Sequence, residues 1–264
     1  MSDATRLGRA FAQGRPALVG YLMAGYPDRD GCLAAMQAVV EAGVDLIELG
    51  VPYTDQLADG PVIVNASAAA RAAAGGDFGL TETLDLLAEF RRGAGDAAPP
   101  VAMMCYLNPL MSAGYGAAAE RIAAAGAEGV IVPDLPPDAA GPWLEASRDL
   151  LDTVFLAAPT STPERLALVG EASRGFVYCV STTGITGERS ELPLELSDTV
   201  ARVKARTGLP VAVGFGVSTP EQAAAVAAIA DGVVVGSALV RRQHDPEELR
   251  AHCAALARAV HAAG

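Results

Sequence analysis

At 264 residues, 51% of them hydrophobic, the chain is long enough to bury one sizeable core, and a single domain over 1–264 is expected. Every long apolar run is broken within a few residues by Asp, Glu, Arg or Gly, which argues against a membrane span. A formal charge of −12 argues against nucleic acid and anionic membranes as partners; an anionic substrate would need local backbone N–H groups and helix N-termini to hold it.

The opening residues, 1–16, lack the apolar centre of a signal peptide and read as a short polar helix, so a cytoplasmic location is expected. Short apolar, β-rich runs then alternate with Ala-rich helical stretches. The strand candidates are 17–23, 45–51, 101–107, 129–135, 153–159, 176–182, 210–216 and 232–238. Between them lie helical patterns such as 32–43, 117–126, 163–173 and 221–230, with a further helix expected at 81–92. Nearly continuous apolar strands in strict alternation with helices describe a parallel sheet covered by helices. Eight strands, the chain length and the lack of a GxGxxG after the first strand favour closure into a (β/α)8 TIM barrel with an extra N-terminal helix, in the α/β class. The four cysteines are scattered with no CxxC pair, as expected of reduced thiols.

In such a barrel the polar residues at the C-terminal ends of the strands carry the chemistry. Alternation in DLIELGV puts Leu46 and Glu48 on one side of the strand and Ile47 and Leu49 on the other. If Leu46 faces inward, Glu48 projects into the barrel's mouth, where a carboxylate is costly unless functional or paired with a loop arginine. The next loop carries Asp55 and Asp59. Each suits an Asx turn, yet a Glu and an Asp at one mouth also suit divided acid and base roles. Gly214 and Gly216 end the seventh strand, and Gly236 and Ser237 end the eighth, each before a helix. Glycines there permit close backbone approach to a phosphate; alone, they would also serve tight turns. The sixth loop, VSTTGITGERSELP, has the composition of a closing loop and equally of an ordinary flexible one.

GYLMAGYPD, LIELGVPYTDQLADGPVI, VIVPDLPPD, LAAPTSTPERL, SRGFVYCVSTTGITGER and VAVGFGVSTPEQ together resemble the tryptophan synthase α-subunit family, in that family's order and over nearly the whole chain. The resemblance implies retro-aldol cleavage of indole-3-glycerol phosphate to indole and glyceraldehyde 3-phosphate, with no metal and no cofactor. Pyridoxal phosphate would belong to a β subunit, in an α2β2 assembly. By the same resemblance Glu48 is the general acid/base, and Asp59 holds the indole N–H and is contacted by Thr186 when the sixth loop closes. Gly187, Gly214, Gly216, Gly236 and Ser237 would cradle the phosphate. Tyr21, Ile63, Tyr106 and Tyr178 would wall the indole pocket, although aromatic residues also serve as ordinary packing.

Two absences fit that chemistry. A Schiff-base aldolase needs a lysine at a strand end, and the lone Lys204 lies in a helical pattern. A metal-dependent aldolase needs clustered ligands, and the three histidines all fall in the last helical segment. The chain departs from the family at Thr54 for Ser, Gln56 for Pro, Val64 for Gln, and Gly20 for a common Pro. Losing a proline at 56 loosens the loop that faces the β subunit. A free-standing indole-releasing lyase is therefore one alternative, and a non-catalytic subunit that activates a β partner is another. A barrel isomerase using Cys105 or Cys179 as a base would need a cationic neighbour to lower the thiol's pKa.

Overall fold

The computed structural model describes residues 5–95, 98–180, 196–214 and 216–264. Its strands are β1 (Ala17–Met23), β2 (Leu46–Gly50), β3 (Val101–Met104), β4 (Gly129–Ile131), β5 (Asp152–Val154), β6 (Leu156–Ala157), β7 (Val177–Val180), β8 (Val211–Gly214) and β9 (Gly232–Val235). All are parallel, in the order β5-β4-β3-β2-β1-β9-β8-β7-β6. β5 and β6 are halves of one chain segment, interrupted at Phe155, so the two ends of this order are continuous and the ring closes. These are the eight expected strands, with the fifth broken.

The strands are apolar because both of their faces are covered. One buried cluster fills the barrel and includes Val19, Tyr21, Met23, Leu46, Ala102, Met104, Ile131, Val154, Tyr178, Ala212 and Val234. A second cluster lies between the sheet and the surrounding helices and includes Leu18, Leu22, Ile47, Leu49, Val101, Met103, Val130, Val177, Val213 and Val235. Leu46 therefore faces inward, and Ile47 and Leu49 outward, as alternation requires.

The helices are α1 (Arg29–Glu41), α2 (Pro61–Ala73), α3 (Leu80–Ala94), α4 (Leu107–Ala113), α5 (Tyr115–Ala124), α6 (Gly141–Ser147), α7 (Pro163–Ala172), α8 (Leu196–Thr207), α9 (Pro220–Ala227), α10 (Ser237–Val240) and α11 (Pro246–His261). Local chemistry sets several starts. Thr162, Thr219 and Asp245 each cap a helix whose next residue is proline, which needs no N–H donor there. No described helix is long and apolar enough to cross a membrane.

The expected N-terminal helix is a four-residue 3-10 helix, Gly8–Phe11, and it is not a polar surface element. Leu7 and Ala10 are buried in the interior cluster, Phe11 packs beside Phe176 at 5.0 Å, and the Leu7 N–H donates to Asp152 Oδ2 at 2.9 Å. Leu7 lies against Gly129, where a Cβ would collide with it. This turn closes the floor of the barrel at the strands' N-terminal end.

Candidate active site

At the opposite end, β2 lifts Glu48 into the interior one layer above Leu46, in register with Tyr21 of β1 and Ala102 of β3. Glu48 is 1% exposed, and its Oε2 has no hydrogen-bond partner. No arginine pairs with it among the described residues, so the structural ion pair considered above is not formed. Burial, and secondarily the neighbouring Asp59, push its carboxyl up to about 8.

Asp59 comes from the loop between β2 and α2. It is buried, and its Oδ2 accepts hydrogen bonds from the Tyr106 hydroxyl at 3.0 Å and the Gln56 side-chain amide at 3.1 Å. Its Oδ1 has no partner. Burial raises its pKa, while the Tyr106 and Gln56 donors pull the other way. Among the described residues Glu48 has no such donors, so of the two carboxyls Asp59 is the one equipped to be the anion.

Tyrosines wall the space. Tyr21, Tyr106 and Tyr178 are buried, and burial followed by the nearby carboxylates raises all three phenols. Tyr106 is fixed twice, by the Ala58 N–H donating to its hydroxyl at 3.0 Å and by stacking on Tyr53 at 5.6 Å. The Tyr53 hydroxyl in turn accepts from Asn108 Nδ2 at 2.9 Å. Tyr21 reaches over Gly50, and Tyr178 over Gly214; a Cβ at either glycine would strike the tyrosine hydroxyl. Gly214 therefore has a packing reason to be glycine, whatever else it serves.

Gly236 caps the start of α10, and a Cβ there would make ordinary van der Waals contacts, with Tyr21 Cβ at 3.7 Å and Ile63 Cδ1 at 3.9 Å. Gly216 has φ +88°, a conformation that favours glycine by itself. The structure thus brings Glu48, Asp59, Tyr21, Ile63, Tyr106, Tyr178, Gly236 and Ser237 to one end of the barrel. Thr186 and Gly187 lie outside the described residues. Sequence reading missed Gln56, Tyr53 and Asn108 as parts of the site. Gln56 was readable only as a lost proline, though its position three residues before Asp59 in a turn is the one local signal for contact.

The residues of other mechanisms lie elsewhere. Lys204 pairs with Asp231 at 2.9 Å on the outer surface. Cys105 and Cys179 belong to the outer cluster rather than the interior, and burial raises both thiols, Cys179 to about 12. A thiolate base at the mouth has no support in this arrangement. Among the described residues no three His, Cys, Asp or Glu side chains gather as metal ligands.

Comparison with known proteins agrees with this geometry. The family model for the tryptophan synthase alpha chain matches residues 7–263. The tryptophan synthase alpha chain of Mycobacterium tuberculosis is 49% identical over 244 residues, covering 90% of this chain and 88% of that one. A solved structure of Mycobacterium tuberculosis tryptophan synthase superposes with a TM-score of 0.88 at 47% identity, covering 98% of this chain and 99% of the other. The tryptophan synthase subunit alpha of Legionella pneumophila gives 0.87 at 33% identity, covering 97% and 98%. The chain belongs to the tryptophan synthase alpha chain family and is a lyase of tryptophan biosynthesis.

Proposed function

We propose that the chain cleaves indole-3-glycerol phosphate to indole and glyceraldehyde 3-phosphate with its own side chains, without a cofactor or metal, in the cytoplasm. The observation that carries this reading is the pair of buried carboxyls with unpartnered oxygens, Glu48 Oε2 and Asp59 Oδ1, among tyrosines at one barrel mouth. A buried polar atom without a partner costs about 1–3 kcal/mol, so such a pair fits a site completed by substrate.

Glu48, held protonated near neutral pH, donates its proton to indole C3. The bond from C3 to the glycerol chain breaks after Glu48, now the base, takes the proton of the adjacent glycerol hydroxyl, which becomes the aldehyde. The proton lost and the proton gained balance, and Glu48 ends as it began. Asp59 Oδ1 accepts the indole N–H and stabilises the positive charge that develops on the ring. Tyr21, Ile63, Tyr106 and Tyr178 line the indole, and the backbone at Gly214, Gly216, Gly236 and Ser237, joined by Gly187, holds the phosphate.

A β subunit carrying pyridoxal phosphate completes the proposed α2β2 enzyme. Leu57 is 85% exposed, Val64 37% and Met111 55%, all on segments that follow β2 and β3. That apolar exposure favours a covered mouth over a free-standing lyase. Indole release from indole glycerol phosphate, measured with and without a tryptophan synthase β subunit, tests the reading. Cleavage that β stimulates and that Glu48→Gln reduces by about a thousand-fold or more is expected. Cleavage retained in Glu48→Gln would remove Glu48 from the mechanism, and no cleavage in either condition would overturn the substrate assignment.

A further inference from the structure

We propose that Gln56 is a positioning residue for Asp59: its amide and the Tyr106 hydroxyl hold Oδ2 together, leaving Oδ1 aimed at the substrate's N–H donor. The inference rests on the cleavage reaction proposed above. Both donors converge on one oxygen, at 3.1 and 3.0 Å, while the other oxygen of the same buried carboxylate receives nothing. Two donors on one oxygen fix the plane of the carboxylate more tightly than one. Gln56 reaches Asp59 by a short route, because the Asp59 N–H donates to the Gln56 carbonyl at 3.4 Å and closes a turn.

The two donors differ in kind. Tyr106 is immobilised by Ala58 and by Tyr53, whereas Gln56 is only half-buried and precedes the exposed Leu57. A proline at position 56 has no side-chain donor to offer. This chain lacks that backbone constraint and has in its place a hydrogen bond to the group that meets the substrate.

The charged and titratable groups facing Asp59 are Glu48 from β2, Tyr21 from β1, Tyr106 after β3 and Tyr178 from β7. Among the described residues none is a cation, and hydrogen bonds support the ionised form. Removing the Gln56 donor therefore raises the pKa of Asp59. Asp59 offsets the positive charge developing on the ring only when ionised, so the acidic limb of the kcat/KM profile moves to higher pH.

The test is Gln56→Met, which keeps the side-chain length and removes the donor, in the full chain with a saturating β subunit and without it. An upward shift of the acidic limb by roughly half to one pH unit is expected, with kcat falling more than KM changes. Gln56→Lys, which restores a donor, should return the limb to the wild-type position or below. An unmoved limb, with losses only in melting temperature or KM, would show a merely structural residue and overturn the inference. Carboxyl-carbon NMR titration of Asp59 in the wild type and Gln56→Met reads the same shift without turnover. If wild-type protein cleaved no indole glycerol phosphate, the substrate reading would fail, while this titration would still decide whether Gln56 tunes Asp59.

Discussion

Among the described residues no cation opposes the burial of the Glu48 carboxyl, and the consequence reaches the stability of the fold. Its ordinary value is 4.5, and in the fold burial pushes it up to about 8. Between those values the folded chain keeps a proton that the unfolded chain has released, so stability through this residue is full below the lower value and is lost as pH rises toward the upper one. Glu48→Gln, which cannot ionise, should therefore be more stable than wild type at mildly alkaline pH. Its advantage should grow by about 1–3 kcal/mol from weakly acidic to weakly alkaline buffer, read by denaturant melts. An advantage independent of pH would place the stabilisation elsewhere.

The phosphate assignment is also testable at single residues, provided the glycine is chosen for its backbone. Gly216→Val would strain the backbone at φ +88° whatever binds nearby. Gly236→Ala adds a Cβ that makes only ordinary van der Waals contacts, with Tyr21 and Ile63. It should change stability by less than about 1 kcal/mol while raising KM roughly ten-fold or more through exclusion of the phosphate. An unchanged KM would move the phosphate elsewhere. Glu48 was legible from alternation alone, because a charged residue in phase with inward Leu46 is conspicuous. Asp59 was not, since an aspartate in a turn is ordinary; the family resemblance singled it out. Tyr53 and Asn108 were illegible because they meet across 55 positions of sequence, and only the closed ring brings them together.

Among the elements, the join between β2 and α11 holds the end of the barrel remote from the site. Asp45, just before β2, accepts from Arg15 at 2.7 and 3.1 Å, from the Leu18 N–H at 2.8 Å and from Gln13 at 3.3 Å, with His261 Nε2 at 2.8 Å. Burial pushes this carboxyl up, but Arg15, the Leu18 N–H and His261 outweigh burial and hold it below its ordinary value. Stability through Asp45 is accordingly present above the ordinary carboxylate range and lost as pH falls through the lowered value. Asp45→Asn should cost about 2–4 kcal/mol at neutral pH while leaving kcat within about two-fold, since its partners Arg15, Gln13, Leu18 and His261 sit at the strands' N-terminal end and none of them belongs to the site. A large loss of kcat without loss of stability would contradict that division. The strands and most helices were readable from periodicity, whereas the break at Phe155 was not. Nothing in TVFLAA distinguishes it from a continuous strand. The N-terminal turn was misread as polar because three arginines interrupt its short apolar residues, and only the packing reveals that Leu7 and Ala10 are the ones that face inward.

On the scale of the whole molecule, an acidic chain presents exposed Leu57, Val64 and Met111 on the segments after β2 and β3. Leu57→Asp should leave cleavage by the isolated chain within about two-fold and weaken β stimulation at least ten-fold, measured by titrating β against indole release. Equal loss in both conditions would make Leu57 part of the fold or site rather than a contact. The barrel itself was legible because strand count, length and alternation agree with one another. Which loops carry contacts was legible only in part, since exposure depends on tertiary placement.

The floor made by Leu7, Ala10, Phe11 and Phe176 turns the barrel into a well rather than a tunnel. Among the described residues the opposite end is closed to whatever enters past Asp59, so substrate, indole and the phosphorylated aldehyde leave by the doorway on the side by which they came. Released indole must retrace the path of the next substrate molecule or step directly into whatever covers that doorway. A partner seated there is therefore more than an activator: it decides whether the product is delivered or lost to solvent.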